Sequence, residues 1–140
     1  MVSIFTVAKY ILDKYGAMSA RKLQTLLFYC QAMSLVWDDV PLFDDDFEAW
    51  PRGAMCRNFF NACKGRFMLD DSKFLDAYNA DTSHLTVEQK KTIDAVVGGL
   101  IDYPPYRLRD MVKSEKPWQE ARGGIISKDS MLDYYMDYWA

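Results

Sequence analysis

Apolar residues recur at helical spacing most regularly between Ser19 and Trp37. Positions three and four apart are apolar along this segment, as on the buried face of an α-helix. The run 26–30 is apolar on more than one side, which is typical of a helix surrounded by other elements. The Ser19 hydroxyl can accept a hydrogen bond from a free backbone N–H of the first turn. The pattern therefore predicts a central helix over about 19–37.

Further segments carry the same periodicity or the capping residues of helices. Ser3 and Gly16 suit the two ends of a first helix, and Thr86 with Gln89 forms a capping-box sequence. Gly98-Gly99 would weaken its helix by about 1 kcal/mol per glycine relative to alanine, which indicates close helix packing there. The predicted helices cover 3–15, 54–64, 86–103, 106–114 and 130–139, with a shorter helical piece around Trp118.

Strands are predicted at two places. Residues 47–50 alternate polar and apolar positions and are followed by a turn at 51–53. Residues 67–69 are expected to pair with 47–50. The predicted fold class is therefore mainly α: a compact single-domain helical bundle around the central helix, with a small two-stranded β element. We expect one domain over 1–140.

Composition restricts the class of protein. Half of the residues are hydrophobic, so a core is available, and the net charge is −3 with a pI near 5.1. The three cysteines, Cys30, Cys56 and Cys63, are odd in number and include no Cys-x-x-Cys pair. This pattern predicts buried thiols in a reduced, cytoplasmic protein. We expect no signal peptide, no membrane span, no metal site and no cofactor.

Residues typical of catalysis are sparse. His84 is the single histidine and has no evident partner, so we expect it at the surface rather than as a general base. The aspartates of 38–46 lack the spacing of a calcium loop and predict a solvated acidic turn. An enzyme with an unmarked acidic site is the least favoured function.

A small basic cluster follows the predicted strand: Arg52, Arg57, Lys64 and Arg66 lie close together in an acidic chain. Two interpretations stay open, exposed charges that balance the aspartate loop or a recognition edge for an acidic partner. Arg and Trp dominate binding energy where they lie in interfaces. The last predicted helix, with Tyr134, Tyr138 and Trp139, is the alternative docking surface.

The order of short motifs resembles the Panacea domain, a family also met as SocA-like or GepA-like phage-associated proteins. Its members typically carry K-L-Q-K-L-L-Y-Y-A-Q-A, then P-L-F, then E-A-W and G-P. The corresponding segments here are Lys22-Leu23-Gln24, the LFYCQA run at 27–32, Pro41-Leu42-Phe43, Glu48-Ala49-Trp50 and Gly53-Ala54. Towards the end, Pro117-Trp118 matches the family's P-W.

The resemblance implies a mainly helical domain with a small strand element, which acts as an antitoxin or inhibitor by binding a protein directly and is not an enzyme. The expected partner is a toxin or a host or defence protein. On this reading Trp50, Arg52, Arg57 and Trp118 lie at or beside the working surface. For the two tryptophans, a place in the core is the interpretation that also stays open. The chain departs from the family pattern at Val112-Lys113, where a Thr-His pair is common, and at Gly53-Ala54, where G-P is usual.

A DNA-binding regulator of its own operon is the alternative function. A recognition helix exposes polar side chains to base edges, whereas the predicted central helix is mostly apolar. Nucleic acid is therefore an unlikely partner. Exposed aromatic residues make a homo-oligomer possible, but no feature sets its symmetry.

Overall fold

The central helix predicted from the sequence is the centre of the molecule. The computed structural model describes residues 1–139, with the side chains of 1–137. Helix α2 (Ala20–Met33) is buried at every position from Leu23 to Met33 because four other helices and a strand surround it. The Ser19 side chain accepts a hydrogen bond from the Lys22 N–H, as predicted. The helix continues as a π-helical turn, Ser34–Asp38, so the predicted end near 37 is also confirmed.

Helices make up most of the remaining chain, which confirms the mainly α class. The α-helices besides α2 are α1 (Ile4–Tyr15), α3 (Arg57–Ala62), α4 (Val87–Leu100), α5 (Pro105–Lys113), α6 (Lys116–Ala121) and α7 (Lys128–Trp139). Ser3 caps α1, and Thr86 and Gln89 form the predicted capping box at the start of α4. Two 3₁₀ turns lie between α3 and α4, at Lys73–Tyr78 and Thr82–His84.

The strands form two small antiparallel sheets instead of one two-stranded element. Strand β1 (Met18–Ser19) pairs with β4 (Met68–Leu69). The second sheet has the order β3 (Gly53–Met55), β2 (Phe47–Trp50) and β5 (Ile125–Ile126). The strand prediction at 47–50 is thus confirmed, but its expected pairing with 67–69 is wrong, since β2 lies between β3 and β5.

The third helix is shorter than predicted. Residues 53–55 are extended because they complete a tight hairpin with β2, in which Trp50 lies opposite Gly53. The buried Gln24 side chain then holds the backbone of Cys56: its Nε2 donates to the Cys56 carbonyl and its Oε1 accepts from the Cys56 N–H. Helix α3 therefore begins at Arg57 rather than at Ala54.

Gly98-Gly99 does not mark close helix packing, so that prediction is wrong. Both glycines are exposed on α4, and a methyl group at either position would meet nothing within 4 Å.

A buried carboxyl joins three helices in the core. Glu115 Oε1 accepts hydrogen bonds from the hydroxyls of Tyr29, at 2.6 Å, and Tyr135, at 2.8 Å. Burial raises the pKa of Glu115, while the two tyrosine hydroxyls act in the opposite direction. The contact ties α2 and α7 to the residue that precedes α6.

The predicted buried thiols are present: Cys30, Cys56 and Cys63 are free and buried. Within the described residues, no helix combines the length and the apolar character needed to cross a membrane. The side chains of Tyr138 and Trp139, on which the alternative docking surface partly depends, lie outside the described residues.

Candidate functional site

The residues singled out in the sequence meet around the turn between β2 and β3; we call Trp50, Arg52, Arg57 and Trp118 the hairpin corner. The half-buried Trp50 ring packs edge-on against Phe60, with centroids 5.1 Å apart. The Arg57 guanidinium lies 5.2 Å from the centroid of the same ring. Hairpin and α3 are therefore joined by a stack of aromatic and cationic groups.

Arg57 is held by an ion pair. Its Nε and Nη2 donate to the two Glu48 carboxylate oxygens at 3.1 and 2.9 Å. These hydrogen bonds, together with one from Trp50 Nε1, lower the pKa of Glu48. The Arg57 side chain is 62% exposed, so the pair itself contributes little to stability. Its effect is to fix the direction of the guanidinium.

Trp118 fastens the hairpin to α6. Its Nε1 donates to the carbonyls of Trp50, at 3.0 Å, and Gly53, at 3.2 Å. Lys113, the residue that departs from the family pattern, donates to the Pro51 carbonyl at 2.9 Å and lies 5.2 Å from the centre of the Trp118 ring. Trp118, half-buried like Trp50, thus positions the corner through its indole N–H.

Arg52 occupies the tip of the turn and leads into a neighbouring cavity. It is exposed and lines an open groove of about 360 Å³, which we call the basic groove. An apolar floor is flanked by cations. The lining residues are Ala20, Arg21, Gln24, Arg52, Met55, Phe59, Phe60, Cys63, Lys64, Gly65, Arg66 and Phe67.

The charges of the basic groove are of one sign. Arg21, Arg52, Lys64 and Arg66 line it together with no acidic residue, and none of the four forms an ion pair with a described carboxylate. Arg66 instead lies 4.8 Å from the centre of the Phe74 ring. A local positive field therefore exists on an acidic chain.

The sequence groups three of these cations, whereas Arg21 and Phe67 are found only in the structure. Arg21 lies in the first turn of α2, far from the others along the chain. Phe67, predicted as a strand residue, is 77% exposed and lines the groove. Its position as an apolar residue close to Lys64 and Arg66 is the one signal in the sequence.

Groups typical of catalysis are few in the part of the chain that the structure describes. Among the described residues, no three His, Cys, Asp or Glu side chains are placed to hold a metal ion. His84 is exposed and meets Asp81 at 3.4 Å. Burial raises the pKa of the Cys63 thiol, beside the groove, to about 12, so it is protonated and a weak nucleophile at neutral pH.

These features define a class: a mainly helical domain with a rigid hairpin corner beside an exposed, basic and apolar groove. The chain belongs to the antitoxin SocA-like, Panacea domain family, whose model matches residues 23–119. The resemblance seen in the sequence is thereby confirmed, and the match includes the whole hairpin corner. Comparisons with curated proteins and with solved structures found no significant match.

Proposed function

We propose that this antitoxin-like domain neutralises a protein toxin by direct contact, without catalysing a reaction. Membership in the antitoxin family supports a toxin as the partner. The observation that carries the proposal is the set of four cations that line the basic groove without an ion pair to a described carboxylate; three of them, Arg52, Lys64 and Arg66, are exposed.

Neutralisation by this surface would be steric. Arg52 meets carboxylates of the toxin, while Arg57 keeps its Glu48 pair and presents the remaining guanidinium edge. Trp50 and Trp118 hold the turn in place, so that the partner meets a preorganised surface and less binding energy is lost to ordering. Arginines in such a position are typical of binding hot spots.

The central helix does not favour the DNA-binding alternative. Its residues from Leu23 to Met33 are buried, whereas a recognition helix must reach base edges in the major groove.

Co-expression tests the proposal. Each gene that flanks the one encoding this chain is expressed as a candidate toxin, and, where growth is arrested, growth is followed with and without the chain. We expect growth arrest to be relieved and the two proteins to copurify. Arg52→Glu should lose both effects, while Lys91→Glu, an exposed lysine on α4, should retain them.

Failure to relieve arrest, or relief without a stable complex, would contradict neutralisation by contact. Recovery of operator DNA in place of a protein would favour the regulator. Both variants need wild-type melting, so that loss of folding is not read as loss of binding.

A further inference from the structure

The floor of the basic groove is apolar, and the chain leaves part of the apolar lining exposed. Of the lining residues, Phe67 is 77% exposed and Phe60 is half-buried. Met55 and Phe59 also line the groove and are buried in β3 and α3. Concave sites lined by apolar side chains with a few polar groups are typical of binding pockets. The groove is thus suited to a large apolar side chain.

The rim of the groove is positively charged, which favours acidic partners. Its cations come from three separate parts of the chain: Arg21 from α2, Arg52 from the hairpin turn, and Lys64 with Arg66 from the segment after α3. The chain as a whole has a net charge of −3, so this local excess does not follow from composition. A basic segment would be repelled here, and an acidic one attracted.

The groove is also rigid at its base. The Gln24 amide, buried on α2, makes two hydrogen bonds to the backbone of Cys56, at 3.1 and 2.9 Å. Phe59 packs against Phe5 of α1, with ring centroids 6.1 Å apart. Little of the base needs to be ordered when something binds, which favours affinity.

We infer that the basic groove binds an acidic segment of a partner protein that inserts an aromatic or large aliphatic side chain into the groove, against its apolar lining that includes Phe60 and Phe67. This inference rests on the proposed function and names the chemistry of the toxin segment. A volume of about 360 Å³ lies near the lower end of the range for small-ligand pockets. It therefore accommodates one or two side chains rather than a folded element.

A selection with random peptides tests the groove without knowledge of the toxin. The full chain is immobilised and incubated with phage-displayed random peptides, and one enriched peptide is labelled for fluorescence anisotropy. We expect enriched peptides to combine several Asp or Glu with Phe, Trp or Leu. Raising the salt concentration should weaken binding, because the rim charges are exposed.

Two groove variants and two matched controls locate the binding. Phe67→Ala and Lys64→Glu should each weaken the labelled peptide roughly tenfold or more. Both side chains are exposed, so folding should be unaffected. Tyr106→Ala, which removes an aromatic ring that is 58% exposed, and Lys91→Glu should leave affinity within roughly twofold.

Three results would overturn the inference: enrichment of basic peptides, affinity that neither groove variant changes, or a wild-type homodimer that Phe67→Ala converts to monomer. The last would assign the groove to a second copy of the chain. A labelled single-stranded oligonucleotide whose binding depends on Phe67 and Lys64 would also overturn it.

The inference about the groove and the proposed function can be contradicted independently of each other. If both groove variants lose peptide binding but still relieve toxin arrest, the toxin binds elsewhere and only the inference falls. If the wild type binds acidic peptides but relieves no arrest, neutralisation falls and the groove remains a peptide site.

Discussion

At the scale of single residues, the polar members of the family motif hold loops against the central helix. Lys22 Nζ donates to the Ile101 carbonyl just after α4, and Gln24 holds Cys56. Gln31 Nε2 donates to the Phe43 carbonyl at 2.7 Å, and its Oε1 accepts from the backbone N–H of Leu42, at 2.7 Å, and Phe43, at 3.3 Å. These side chains replace the partners that a strand would supply to buried backbone.

Replacement of Gln31 by methionine keeps most of the volume and removes these hydrogen bonds. Buried N–H and C=O groups are then unpaired, and we expect the free energy of unfolding to fall by about 2–4 kcal/mol. Urea denaturation measures it. Gln119→Met, at an exposed amide that donates to the Lys113 carbonyl, should cost less than about 1 kcal/mol. Equal losses would show that the Gln31 contacts are not special.

At the scale of elements, α4 contains two glycines that lower its helix propensity and that no contact in the fold requires. Gly98 and Gly99 are helical and exposed, and added methyl groups meet open space. Gly98→Ala and Gly99→Ala should therefore each stabilise the protein by about 0.5–1 kcal/mol, through helix propensity alone. Thermal unfolding measures the change.

Gly53→Ala is the control, and we expect it to lower the stability of the protein instead of raising it. Gly53 has φ of 122°, which residues with a Cβ rarely adopt, so Gly53→Ala should destabilise the hairpin. Destabilisation at Gly98 or Gly99 would indicate a packing role that the described contacts do not contain.

The hairpin formed by β2 and β3 is hydrogen-bonded to α6 by the indole of Trp118. Trp118→Phe retains the ring contact but loses the N–H that donates to the Trp50 and Gly53 carbonyls. We expect a loss of about 1–2 kcal/mol in unfolding free energy, measured by urea denaturation. Tyr106→Phe, at an exposed hydroxyl, should change it by less than about 0.5 kcal/mol. An unchanged midpoint in Trp118→Phe would mean that the hairpin is held by other contacts.

At the scale of the whole molecule, the buried Glu115 makes stability depend on pH. Burial raises its pKa in the folded state above the ordinary value, so the folded protein binds its proton more tightly than the unfolded chain does. The contribution is fully present below the unfolded pKa, near 4.5, and is lost as pH rises through the folded pKa.

Glu115→Gln removes that titration and keeps an oxygen for Tyr29 and Tyr135. We expect the stability of the wild type relative to this variant to increase as pH falls from 8 to about 5. Urea midpoints at several pH values measure it, and Glu120→Gln at an exposed carboxyl should show no such trend. A pH-independent difference would mean that Glu115 does not titrate in this window.

The features that the sequence predicts are those formed by residues close together along the chain. Helix α2 and the capping box at Thr86 depend on residues a few positions apart, so the sequence pattern predicts both. Strands β1 and β5 have two residues each and pair with distant segments, Met18 with Leu69 and Phe47 with Ile126. No local periodicity reveals them.

The candidate site divides in the same way. Arg52, Lys64 and Arg66 are near one another in the chain, and their clustering was visible. Arg21 and Phe67 join them only because β1 pairs with β4, and Ala20 accordingly donates its N–H to the Phe67 carbonyl. The groove is thus a product of long-range pairing, and its apolar floor could not be assembled from sequence alone.

Because all three thiols are buried, the rate at which each cysteine reacts reports how often the structure around it opens. A thiol reagent reaches a buried cysteine only when the surrounding structure opens. Cys30, inside α2, should be alkylated at the rate of global unfolding, whereas Cys56 and Cys63 flank the short α3 and report on the wall of the basic groove. A ligand bound in that groove would slow alkylation at Cys63 more than at Cys30, so the ratio of the two alkylation rates reports whether the groove is occupied.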